Sequence, residues 1–195
     1  VVLGNLLPLH GNPLRVAEEY AMLDNMSNGR IVAGLAPGGG QETFNYNTPA
    51  AYQREQFWEA VDLIHQAWTR EGPFAFEGRH YPLRYVNPWP QPTQRPHPPI
   101  WVPGARSPET MHQVAKRGYT YFLSSRVAGG EVAKVRQTFD SVLRQHDSKY
   151  DPFRMGMLMS VYVGETDEQA EAEAHEGVWY FIKNCLKGHL RSEKG

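Results

Sequence analysis

Apolar residues recur along this chain in two rhythms, short β-type runs and longer stretches at helical spacing. Residues 1–7, V-V-L-G-N-L-L, form an apolar strand. Asn12-Pro13 then supplies an N-cap and a first helical residue, and Leu14, Ala17, Ala21, Met22, Leu23 and Met26 fall on an apolar helical face. Ser27-Asn28-Gly29 stops that helix, with Gly29 suited to the left-handed position. A second strand at 31–35 ends in Pro37-Gly38-Gly39-Gly40 and a polar loop rich in Asn, Thr and Tyr. From about Pro49 the segment through Arg54, Phe57, Val61, Leu63, Ile64 and Trp68 is helical. Residues 74–81 alternate and carry a Glu77-Gly78 turn, which predicts a small hairpin.

A proline-rich run from Val86 to Pro99 follows. It has the composition of a stiff spacer, and here it is expected to clamp an insertion of about 72–99 and deliver the chain into a strand beginning at Ile100. A helix over Pro108–Arg117, a strand at 119–123, a helix near 131–145, a strand at 155–163 and a helix at 167–187 complete the pattern. Strands alternating with helices predict one α/β domain over 1–195 with a parallel sheet. The pattern leaves a doubly wound sheet and a barrel both open. Either fold binds ligands at the C-terminal ends of its strands. That rim would comprise Asn5, the 37–40 loop, Gly104 to Ser107, and Ser124-Ser125.

The run I-W-V-P-G-A-R-S-P-E-T carries the most chemistry. A strand enters a glycine turn and meets Ser107 as N-cap, Pro108 at the first helical position and Glu109 in the first turn. Helix N-termini hold unpaired N–H groups and a partial positive charge, which suits a phosphate. An ordinary capped βα-loop has the same signature. The rim offers neutral hydrogen-bonding groups and no pair of carboxylates, so it fits a bound cofactor better than acid–base hydrolysis.

Composition narrows the classes. The 195 residues are 41% hydrophobic and 21% charged with a formal net charge of −1, which gives no reason to expect nucleic acid or an acidic membrane as partner. The single cysteine, Cys185, leaves no internal disulfide and fits a reducing, cytoplasmic setting. No apolar run approaches the roughly 20 residues of a membrane span. No basic-then-apolar leader opens the chain, and a start inside a strand without Met reads as a piece of something longer. Gly38-Gly39-Gly40 lacks the Lys-Ser/Thr of a P-loop. His10, His65, His80, His97 and His112 lack metal-ligand spacing, and no Gly-x-Ser-x-Gly elbow is present. Asp24 and Arg30 read as a structural ion pair tying helix to strand. Trp58, Trp68 and Trp179 read as core or interface anchors, and Trp89 and Trp101 as core near the cleft edge.

The run L-G-N-L-L-P-L-H-G-N-P-L-R-V-A-E-E-Y-A-M-L-D-N-M-S-N-G-R-I-V-A-G-L and the stretch P-H-P-P-I-W-V-P-G-A-R-S-P-E-T resemble the luciferase-like, flavin-dependent monooxygenases. The most specific parts are A-E-E-x-A-M-L-D-x-x-S-x-G-R, from Ala17 to Arg30, and the P-P-I-W-V strand before its Gly/Ser turn. The resemblance covers most of the chain and weakens after about Leu123. It implies an incomplete TIM (β/α)8 barrel, approximately strands three to seven, with the hairpin as an insertion. A whole barrel takes about 250 residues.

The resemblance also implies chemistry. Reduced FMN, supplied by a separate flavin reductase, would react with oxygen to oxidise a small organic substrate. A deazaflavin coenzyme serving hydride transfer is the alternative within the same fold, and a non-catalytic flavin-binding protein the alternative outside catalysis. Ser107 would hold the FMN phosphate with Gly104 and the backbone of Ala105 and Arg106, and Arg54 would lie near the same phosphate or pair with Glu55 or Glu59. Asn5 would lie beside the flavin ring, with Gly4-Asn5 a candidate for a cis peptide. One departure stands at Pro37, where luciferase has a cofactor-contacting arginine, leaving Gln41 or the glycine backbone to substitute. The family's histidine near the flavin falls on a strand outside this chain, so no catalytic base is named. The full-length parent is expected to be a homo-oligomer, and the isolated chain, with unpaired strand edges, to be poorly soluble.

Overall fold

A computed structural model describes residues 2–124, 129–146 and 151–186. Five parallel strands form one sheet: β1 (Val2–Leu6), β2 (Ala33–Ala36), β5 (Ile100–Gly104), β6 (Thr120–Leu123) and β7 (Met155–Met157), hydrogen-bonded in that order. The hairpin of β3 (Phe74–Glu77) and β4 (Pro82–Val86) is a separate antiparallel pair. Helices α1 (Pro13–Met26), α2 (Gly40–Asn45), α3 (Gln53–Thr69), α4 (Pro108–Arg117), α5 (Gly129–Gln145) and α6 (Asp167–Phe181) complete the described elements.

Strand order never reverses, so this sheet has no switch point and is not doubly wound. With right-handed crossovers, α1, α3, α4 and α5 then lie on one face. The core sits there: Ile100 and Val102 of β5, Tyr121 and Leu123 of β6, and Phe57 and Ile64 of α3 are all fully or almost fully buried. Each large apolar side chain so placed contributes about 1.5–3 kcal/mol. On the other face Trp101 meets Phe122 with ring centroids 6.3 Å apart. The sheet does not close among the described residues, and β1 and β7 are its edges.

Local signals set the helix ends. Asn12 caps α1, its side chain accepting from the Leu14 amide at 3.0 Å. α4 begins at Pro108 behind Ser107 and ends at Gly118, whose φ of +74° is the left-handed conformation that spares a Cβ clash. Asn28 as well as Gly29 is left-handed after α1.

Several expectations need correction. The buried face of α1 is Pro13, Val16, Ala17, Tyr20, Ala21 and Asp24, while Met22, Leu23 and Met26 are exposed. Tyr20 and Trp68 explain the rotation. The Tyr20 hydroxyl donates to the Gly34 carbonyl at 3.0 Å, and the Trp68 indole donates to the Ala17 carbonyl at 3.0 Å. Asp24 pairs with Gln94, not Arg30: its two oxygens accept from the Gln94 amide at 2.8 Å and side chain at 2.7 Å. Arg30 bonds instead to the Ser27 carbonyl at 2.7 Å. Asn25 reinforces the clamp, donating to the Gln91 carbonyl at 2.7 Å. The proline-rich run is therefore fastened to α1.

The polar loop after β2 contains α2. Its signal is Gly39 followed three residues on by Glu42, whose carboxylate accepts from the Gly39 amide at 2.8 Å, half of a capping box. The hairpin's second strand is Pro82–Val86, beyond the expected limit at 81. The expected strand at 155–163 forms only over Met155–Met157, because β6 offers a short ladder and Val161 and Val163 face solvent without a strand beside them. Trp89 is 71% exposed rather than core, and α6 has no buried residue, with Trp179 43% exposed. Lys187, the expected end of the last helix, and the Cys185 side chain lie outside the described residues.

Glu59 of α3 holds the hairpin. Its carboxylate accepts from the backbone amides of Arg79, His80 and Tyr81 at 3.0, 2.8 and 2.7 Å. Glu59→Ala is expected to destabilise the chain by about 1–2 kcal/mol, since charge-assisted bonds are lost at a partly solvated turn. Hydrogen exchange at residues 79–81 checks it, and protection there should fall more than in β5.

Candidate functional site

The C-terminal ends of β1, β2, β5 and β6 share one edge of the sheet, and four loops leave from it. β5 delivers Gly104, and the chain turns through Ala105 and Arg106 to Ser107 at the head of α4. The Ser107 hydroxyl accepts from the Thr110 amide at 3.4 Å, a long capping contact that leaves its own hydrogen for another acceptor. The Gly104 carbonyl accepts from the Ser124 amide at 3.1 Å, locking the ends of β5 and β6 together. A side chain at 104 would overlap the ring and hydroxyl of Tyr121, so glycine there makes room for a tyrosine below the turn.

Two arginines bracket this helix start. Arg54, from α3, bonds Glu109 in the first turn of α4 at 2.6 Å, with both side chains about two-thirds exposed. Its partner is thus neither Glu55 nor Glu59, because Glu55 takes Arg79 at 2.9 Å and Glu59 takes the hairpin. Arg106 bonds Glu131 in the first turn of α5 at 2.6 Å. Exposed pairs of this kind are worth at most about 1 kcal/mol. A dianion at the turn would therefore draw on both guanidinium groups at little cost, aided by the helix dipole.

Asn5 stands two strands away, in register with Leu35. Its side-chain oxygen is buried and finds no partner among the described residues. The peptide before it is not cis: among the described residues the cis bonds are Trp89-Pro90 and Arg95-Pro96, and Gly4 instead takes φ +91° to accommodate the irregular pairing with β2. The 37–40 loop is tied to α3 through Gln53, whose amide donates to the Pro37 carbonyl at 2.7 Å. No local signal in the sequence marks Gln53, whose contact spans sixteen residues. Ser125 and the Gln41 side chain lie outside the described residues.

His65 packs edge-on to His97 at 4.9 Å, and burial holds its pKa below the usual imidazole value. Among the described residues no group of three or more His, Cys, Asp or Glu could hold a metal, and no helix is long and apolar enough to cross a membrane. One crevice lies at the foot of α3, between Trp68, Arg70, Trp89 and Arg95.

Comparison with known proteins gives this edge a context. The chain is 28% identical over 189 residues to the oxygenase component of a flavin-dependent trigonelline monooxygenase from Acinetobacter baylyi, covering 91% of this chain and 51% of that one. The monooxygenase RslO1 of Streptomyces bottropensis superposes with a TM-score of 0.78 at 26% identity, over 89% of this chain and 53% of its own. The FMN-bound oxygenating constituent of 3,6-diketocamphane monooxygenase, from a Pseudomonas putida plasmid, superposes at 0.76 with 21% identity, over 97% and 56%. The chain spans about half the length of the curated relatives it matches. The profile of the luciferase-like monooxygenases matches residues 1–194, and the chain belongs to that family.

Proposed function

We propose that this chain supplies the phosphate-binding arc of a flavin-dependent monooxygenase, corresponding to about strands three to seven of a TIM barrel. One observation supports the reading: Ser107 caps the N-terminus of α4 at the C-terminal end of β5, with Arg106 beside it in the turn and Arg54 bonded to Glu109 in the first turn of α4. The residues present fit FMN. Ser107 and the backbone from Gly104 to Arg106 would receive the phosphate, with Arg54 and Arg106 turning to it from their carboxylate partners. Asn5, with its buried unpartnered oxygen, would face a hydrogen-bond donor of the bound flavin.

Reduced FMN supplies the reaction with oxygen, and the protein supplies placement and shelter from water. A small organic substrate and a reductase that delivers reduced flavin complete the proposal. The trigonelline enzyme's designation as an oxygenase component supports the two-protein arrangement.

Fluorescence titration with FMN, riboflavin and a deazaflavin coenzyme tests the reading. FMN is expected to bind in the micromolar range and riboflavin at least tenfold more weakly, about 1.4 kcal/mol. Binding of the deazaflavin alone would replace the cofactor, and equal binding of FMN and riboflavin would remove the phosphate site.

A further inference from the structure

Tyr20 and Tyr121 are both almost wholly buried, and they differ in what their hydroxyl groups meet. Tyr20 donates to the Gly34 carbonyl. The Tyr121 hydroxyl has no partner among the described residues. Burial pushes its pKa up to about 12, so it stays a neutral O–H donor near pH 7. Leaving such a group unmet costs the protein the desolvation of its O–H without a bond in return.

Its position gives the cost a meaning. The Tyr121 ring stacks on Phe139 of α5, with centroids 5.2 Å apart and an interplanar angle of 28°. Its hydroxyl end occupies the space that a side chain on Gly104 would need. Gly104 opens the turn to Ser107, and its carbonyl is already taken by the Ser124 amide. A buried donor without an acceptor thus lies directly against the turn that starts α4. An apolar core alone would be better served by phenylalanine.

Resting on the flavin reading above, we propose that Tyr121 is a positioning residue for the phosphate site. Its hydroxyl meets no acceptor among the described residues and gains one, a water held beneath the turn, when a phosphomonoester settles on the Gly104–Ser107 turn. Tyr121 does not touch the flavin; it acts through that water. The ligand class follows from the donors, an oxyanion rich in lone pairs rather than a neutral flavin.

Tyr121→Phe in the full chain separates this role from packing. FMN affinity is expected to fall about five- to tenfold, riboflavin affinity to stay unchanged, and the melting temperature without ligand to hold or rise, because an unmet buried hydroxyl has been removed. Unchanged FMN affinity, equal weakening of FMN and riboflavin, or a lower melting temperature without ligand would each overturn the proposal. FMN binding that responds to Ser107→Ala and ignores Tyr121→Phe would sink it alone. Absence of FMN binding to the wild-type chain would instead sink the flavin reading, and this proposal with it.

Discussion

Replacing Asp24 by alanine is expected to lower the stability of the chain by about 2–4 kcal/mol, the largest effect of any single substitution considered. Asp24 is fully buried, and both of its oxygens accept from Gln94. Truncation removes two charge-assisted bonds and leaves the Gln94 amide without its acceptor. Gln94 also donates to the Ile31 carbonyl at 2.9 Å, so the loss spreads from α1 to the approach of β2. Asp24→Asn keeps one acceptor and turns a donor toward Gln94, and about half the loss is expected. Urea unfolding of the two variants checks the order. Equal stability of Asp24→Ala and the wild-type chain would mean that the proline-rich run is not held through this carboxylate.

Removing both arginines at the head of α4 carries the second large effect, on binding. Arg54→Ala with Arg106→Ala is expected to weaken FMN about 30- to 100-fold, roughly 2–2.7 kcal/mol. Stability should change by less than about 2 kcal/mol, at most about 1 for each of the exposed Glu109 and Glu131 pairs lost. The binding loss should shrink as salt rises, since both guanidinium groups are exposed. Glu109→Gln gives the opposite sign: it frees Arg54, and FMN affinity should rise a few-fold. A double arginine variant that binds FMN like the wild-type chain would place the phosphate elsewhere on the rim.

The sequence was informative where cause and effect lie within one turn of chain. Asn12-Pro13, Ser107-Pro108-Glu109 and Gly118 act on the adjacent backbone, and the helices begin and end where those residues say. The sequential parallel sheet also follows from local alternation of strands and helices, although its order had to be seen to exclude a doubly wound sheet. What stayed hidden depends on partners far along the chain. Asp24 meets Gln94 seventy residues on, and Arg54 meets Glu109 fifty-five residues on. Local spacing favoured the nearer Arg30, Glu55 and Glu59 instead. The alternation at 155–163 gave faces for a strand but could not supply a neighbour to pair with it.

The candidate site divides in the same way. Ser107 and its turn were visible as a strand–glycine–cap pattern. That Arg54 is held on Glu109 of α4 and Arg106 on Glu131 of α5 is a property of how α3, α4 and α5 pack. Gly104 was legible as a turn residue, whereas its contact with Tyr121 required the register between β5 and β6.

The affinity of FMN for the wild-type chain against Ser107→Ala is the decisive measurement, because Ser107 contributes a hydroxyl at the helix start and, among the described residues, makes a 3.4 Å capping contact. Binding in the variant is expected to be about tenfold weaker, with riboflavin affinity unchanged and the melting temperature lowered only slightly. FMN binding of equal strength in the two chains would contradict this, and would move the phosphate away from the turn between β5 and α4.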